Sequence, residues 1–165
     1  MTRAYVGMGS NEGSREVNLS RAVTALRGLP ETRVLAVSSL YATEAREAPG
    51  HPDYLNAVVA LETGLSADHL LRQLQQIERG LGRREGHRAA PRPLDLDLLY
   101  FGSQVMDRPG LQVPHPRIPE RLFVLEPMTE LAPGWMDPRT GLTMGVMSDR
   151  LRGTQQVRLA GRMAG

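Results

Sequence analysis

"PRPLDLDLLYFG", Pro91 to Gly102, is an apolar strand that carries two carboxylates. Side chains alternate along a strand. Asp95, Asp97 and Leu99 therefore point one way, while Leu94, Leu96, Leu98 and Tyr100 point the other way, into a core. The rise per residue separates the two aspartates by about 6.5–7 Å. Aspartate is a poor strand former, so two in one strand call for a reason.

Working outward, this strand is the last of a regular series. Upstream, Ser66 caps a helix whose Leu70, Leu74, Ile77 and Leu81 form one apolar stripe, closed by Gly80 and Gly82. Before it, "YLNAVVALET" (Tyr54 to Thr63) and Arg33 to Thr43 read as strands. Ser14 caps an earlier helix with Leu19, Ala22, Val23 and Leu26 at helical spacing, stopped by Gly28. "RAYVGMGSN" reads as a first strand ending in a Gly-rich turn. The order strand, helix, strand, strand, helix, strand is the βαββαβ, ferredoxin-like α+β plan: an antiparallel sheet with its helices on one face.

C-terminal additions follow. "SQVMD" and "LQVPHP" are short extended pieces, "PERLFVLEPMTELAP" and "LTMGVMSDRLRG" hold short helices, and the end beyond about residue 152 is a strand or a frayed tail. The 165 residues suit one domain, 1–165.

Composition narrows the function. There is no cysteine, which excludes disulfides, thiolate metal sites and cysteine nucleophiles. The net charge of +2 is too small for a nonspecific nucleic-acid binder. No apolar run is long enough for a membrane span and the N-terminus lacks a signal-peptide core, so a cytoplasmic protein is expected. All 20 basic residues are arginine, which excludes a lysine-dependent phosphate loop and Schiff-base chemistry.

Two adjacent carboxylates repel and resist desolvation, and a hard divalent cation such as Mg²⁺ relieves both costs. The alternative is a solvated strand face. Arg79, Arg83, Arg84, Arg88 and Arg92 crowd the preceding loop, and guanidinium forks suit phosphate oxygens. A solvated loop, or arginines pairing with the aspartates, accounts for them equally well. Tyr54 and Asn56, two apart on one strand face, make a platform for a flat heterocycle or simply pack a sheet.

"GSN", "PDYLNAVVALET", "LLRQLQQIERGLGR", "PRPLDLDLLYFG" and "VPHPRIPERLFVLEPMTELAP" together resemble the 6-hydroxymethyl-7,8-dihydropterin pyrophosphokinase family, from about Tyr5 to Leu151. The resemblance implies transfer of diphosphate from ATP to the hydroxymethyl group of the pterin, in folate biosynthesis, with AMP as the other product. It implies two Mg²⁺ ions on Asp95 and Asp97. It implies ATP contacts from Gln75, Glu78, Arg83, Arg84, Arg92, His115 and Arg121, and a pterin pocket of Thr43, Tyr54, Asn56 and Phe123. Arg83, Arg92 and Asp97 are the catalytic candidates. The partners are these two small molecules, with neither nucleic acid nor membrane, and the protein is expected to be a monomer.

The chain departs from the family pattern at Glu44, Glu85, Ala89 and Ala90, which bear on loop closure. Two other readings compete. A ferredoxin-like RNA-binding module would present aromatics on its open sheet face, where this chain presents Asp95 and Asp97. A degenerate relative would bind nucleotide without turnover.

Overall fold

The computed structural model describes residues 1–43, 53–82 and 94–163. Its main sheet has six antiparallel strands. In chain order they are β1 (Thr2–Ser10), β2 (Thr32–Val37), β3 (Leu40–Thr43), β4 (Tyr54–Thr63), β5 (Asp95–Phe101) and, after a hairpin described below, β8 (Arg158–Gly161). The spatial order is β5-β1-β4-β3-β8, with β2 also paired to β4.

Helices α1 (Arg15–Arg27) and α2 (Ala67–Ile77) cover the first face of the sheet. Leu19, Ala22, Val23 and Leu26 of α1, and Leu70 and Leu74 of α2, are buried there against Val6, Met8, Leu61, Leu96 and Leu98. Ser66 accepts a hydrogen bond from the His69 N–H, as a helix cap should. Ser14 occupies the cap position of α1 without a side-chain cap bond.

The C-terminal additions pack on the second face. Helices α3 (Leu122–Leu131) and α4 (Met144–Leu151) bury Leu125, Met128, Met144 and Met147 against Tyr5, Val58, Ala60, Leu99 and Tyr100. The C-terminal end is an edge strand: β8 pairs with β3.

Four local expectations need correction. The second strand is broken at Ser38–Ser39 into β2 and β3, which lie end to end along β4. The Ser38 hydroxyl replaces the lost ladder acceptor by taking the Val58 N–H at 2.8 Å, and the Ser39 N–H goes to the Glu130 carboxylate. Second, Gly7, Gly9 and Ser10 lie inside β1, paired to β4, rather than in a turn.

Third, Leu81 is exposed, because α2 passes into a π turn at Glu78–Gly82 that shifts the helical phase. Fourth, Tyr100 joins the second face with Leu99. The pairing of β1 with β5 jumps from Val6–Leu98 to Tyr5–Tyr100, so Leu99 is an extra residue that reverses the alternation.

Candidate active site

Registry across the sheet builds the site. Asp95 pairs with Gly9, Gly9 with Asn56, and Asn56 with Tyr41, one row across four strands. In the next row Asp97 pairs with Gly7, and Gly7 with Val58. In these two rows β1 therefore puts only glycines between the carboxylate strand and β4. The result is a trough about 10 Å wide at the level of the Cα atoms. A Cβ on Gly9 would stand 3.1 Å from Asn56 Oδ1, and one on Gly7 would stand 3.3 Å from the Leu99 side chain. Neither glycine has a positive φ, so both serve space and not backbone conformation.

Thr43, Tyr54 and Asn56, three of the residues named for the heterocycle pocket, lie at the far end of this trough. Asn56 is 7% exposed and donates from Nδ2 to Thr43 Oγ1 at 3.1 Å. Tyr54 pairs with Thr43. The segment before Tyr54 is held from outside the site: Arg15 donates to the Asp53 carbonyl at 2.7 Å, and Arg158 of β8 to the Asp53 carboxylate at 2.9 Å. Phe123, half-buried in the first turn of α3, carries the Arg121 guanidinium 5.5 Å from its ring centroid.

A second opening lies along β5. A cleft of about 590 Å³ runs between Leu96, Asp97 and Leu98 on one side and the short hairpin β6 (Met106–Arg108) and β7 (Leu111–Val113) on the other, with His115 and Pro116 at its end. Arg139 braces this hairpin. Its guanidinium forks onto the Asp107 carboxylate at 2.6 and 3.0 Å and also reaches the Pro114 carbonyl. That arginine holds the Asp107 carboxyl below the usual carboxylate range.

Asp97 belongs to both openings: it is exposed, lines the cleft and borders the trough.

The bulge at Leu99 has a structural use. Its carbonyl accepts the His115 N–H at 3.1 Å and so ties the histidine segment to β5. His115 Nδ1 accepts the Arg117 N–H at 3.2 Å, which leaves the proton of the neutral ring on Nε2. Burial pushes the His115 pKa down, Asp97 opposes that shift, and Arg121 and Arg117 reinforce it. Burial and then Arg117 likewise press Arg121 below the ordinary arginine value, with Asp97 acting in the other direction. Asp97, His115, Arg121 and Arg117 thus form one electrostatic group.

Glu78 sits in the π turn and accepts the Leu96 N–H at 2.8 Å. Leu96 lies between the two aspartates on β5, the outer strand of the sheet among the described residues, so this bond fixes the strand that carries them. Gln75, on α2, is exposed. Arg83, Arg84 and Arg92, and the departures at Glu44, Glu85, Ala89 and Ala90, lie outside the described residues. Among the described residues no three His, Cys, Asp or Glu side chains form a metal cage. Two carboxylates alone suit an ion that takes its remaining oxygens from water and substrate, as Mg²⁺ does.

The family model for 7,8-dihydro-6-hydroxymethylpterin-pyrophosphokinase matches residues 5–133. The chain belongs to this family. It is 44% identical over 131 residues to the 2-amino-4-hydroxy-6-hydroxymethyldihydropteridine pyrophosphokinase of Pseudomonas aeruginosa, covering 79% of this chain and 81% of that one. It is 40% identical over 141 residues to the enzyme of the same name from Synechocystis, covering 86% and 72%. The Bacillus subtilis relative is 42% identical over 128 residues, covering 78% and 77%.

Among solved structures, the wild-type HPPK-DHPS of Plasmodium falciparum with SDX-DHP superposes with a TM-score of 0.69 at 12% identity, over 91% of this chain and 43% of that one. A second HPPK-DHPS structure in complex with substrates gives a TM-score of 0.71 at 10% identity, over 93% and 44%. This chain spans less than half the length of those solved chains. At such identities the likeness concerns the fold, which is ferredoxin-like as the element order predicts.

Sequence reasoning missed the Gly7–Gly9 trough floor, the hairpin wall of the cleft and the Arg139 brace. The first had a signal: glycines two apart inside an apolar strand mark a close approach or a space kept open. The two strands of the hairpin were expected as short extended pieces around Pro109 and Gly110, but their place as the cleft wall and the Arg139 brace had no signal, because these depend on how distant segments pack.

Proposed function

We infer that this chain transfers the diphosphate of ATP to 6-hydroxymethyl-7,8-dihydropterin, giving the pterin diphosphate and AMP. Membership of the pyrophosphokinase family carries this assignment. The single structural observation that supports it is the meeting of two openings at Asp97: a trough with an amide and aromatic end, and a cleft along the carboxylate strand.

In this reading ATP occupies the cleft, with its triphosphate toward Asp95 and Asp97. His115 and Arg121 face the nucleotide, together with Gln75, Arg83, Arg84 and Arg92. The pterin lies in the trough, oriented by Thr43, Tyr54, Asn56 and Phe123. Its hydroxyl oxygen attacks the β-phosphorus, the bond from that phosphorus to the α–β bridging oxygen breaks, and AMP leaves with that oxygen. Asp97 is the candidate acceptor of the hydroxyl proton.

Two Mg²⁺ ions held by Asp95 and Asp97 would neutralise phosphate charge when bound. Arginines preorganised around the phosphates add to that stabilisation. Glu78 is assigned to positioning β5, on the strength of its bond to Leu96. The chain acts as a single-domain monomer in the cytoplasm; among the described residues no helix is long and apolar enough to cross a membrane.

Mutation tests this reading. Asp97→Ala and Asp95→Ala should each abolish turnover while the melting temperature stays near wild type. Near wild-type turnover in either variant would remove the carboxylate pair from the mechanism.

A further inference from the structure

The end of β1 carries a polar group with no described use. Asn11 is fully buried, and neither its amide nitrogen nor its amide oxygen has a hydrogen-bond partner. Its direction follows from its neighbour. Ser10 Oγ accepts from Asn18 Nδ2 of α1 at 3.2 Å, so Ser10 points to the helix-covered face. Alternation turns Asn11 to the opposite face, in line with Gly7 and Gly9. Continuing the register one step past the Ser10–Leu55 pair brings Asn11 beside Tyr54.

Register and alternation thus set Asn11 next to the end of the trough formed by Tyr54, Asn56 and Thr43. Asn56 spends its Nδ2 on Thr43. Asn11 keeps both a donor and an acceptor. Burying an unpaired amide is costly, and a ligand that supplies both partners recovers the loss. A fused lactam heterocycle has adjacent N–H and C=O or ring-nitrogen groups, which match a carboxamide edge to edge.

We propose that the Asn11 carboxamide binds an edge of the pterin ring and helps to set specificity for it. Oδ1 accepts a ring N–H or exocyclic amine, and Nδ2 donates to a ring nitrogen or the carbonyl. A site built in this way rejects analogues that lack the matching groups. The proposal rests on the diphosphokinase reading and deepens it.

The test is Asn11→Leu, which keeps the shape and removes both polar atoms. Calorimetric titration with 6-hydroxymethyl-7,8-dihydropterin, in the presence of Mg²⁺ and a non-hydrolysable ATP analogue, should show about tenfold weaker pterin binding or worse. Affinity for the ATP analogue should stay within about twofold, and the melting temperature should hold or rise, because an unpaired buried amide has been removed. Unchanged pterin affinity would overturn the proposal. So would parallel losses of pterin affinity, nucleotide affinity and melting temperature, which mark a structural role. Asn11→Ala gives the same comparison if the leucine variant does not fold. Failure of the wild-type protein to bind pterin would instead overturn the diphosphokinase reading itself.

Discussion

Glu78→Ala should loosen the strand that holds the two carboxylates. The Glu78 carboxylate accepts the Leu96 N–H of β5 at 2.8 Å. A hydrogen bond to a charged group contributes about 1.5–3 kcal/mol. Glu78 is only half-buried, so the lower end of that range applies. Each 1.4 kcal/mol is a factor of about ten, so exchange of the Leu96 amide with solvent should quicken about tenfold in Glu78→Ala. Glu78→Gln keeps a neutral acceptor and should lose about half of the effect in free energy, roughly threefold in rate.

Amide hydrogen exchange followed residue by residue by NMR reads this directly. Tyr5 and Val59, deep in the sheet, serve as internal controls that should not change. A Glu78 that acted only as a nucleotide ligand would leave Leu96 exchange untouched in the free protein. Wild-type exchange at Leu96 in Glu78→Ala would therefore refute the positioning role.

Two further predictions concern space and stability. Gly9→Ala places a Cβ 3.1 Å from Asn56 Oδ1, so the amide must shift by a few tenths of an ångström; pterin affinity should fall several-fold by calorimetry, up to about tenfold if one hydrogen bond is lost, whereas Gly7→Ala, which meets only the flexible Leu99 side chain, should cost less. Tyr100 donates to Asp137 at 2.6 Å in the second core, and both are buried. Tyr100→Phe leaves a buried carboxylate oxygen without its donor, costing about 1–3 kcal/mol, so the melting temperature should fall by roughly 3–10 °C with substrate affinities unchanged.

Much of this architecture was legible in the sequence, and the reasons are specific. The stripe of Leu70 and Leu74 and the alternation through Leu94, Leu96 and Leu98 are local periodicities that burial enforces, so they gave the helices and strands of the first core. The Asp-Leu-Asp pair was legible because charge inside an apolar strand is anomalous. Where the reading erred, backbone irregularity had won. The bulge at Leu99 moved Tyr100 to the other face, and the π turn at Glu78 turned Leu81 to solvent. Nothing in the local pattern announces either. The break at Ser38 was equally hidden, since it depends on a serine hydroxyl and on Glu130 from a distant helix. The trough was only half visible: Tyr54 and Asn56 drew notice, while Gly7 and Gly9, which keep the space beside them open, fell in a stretch that reads as the Gly-rich turn ending the first strand.

The central claim is that an intact diphosphate moves in one step from ATP to the pterin. Mass spectrometry of the products from ATP, Mg²⁺ and 6-hydroxymethyl-7,8-dihydropterin tests it most directly. The account predicts AMP and pterin diphosphate in equal amounts, with neither formed when the pterin is left out. ADP with a pterin monophosphate would contradict it.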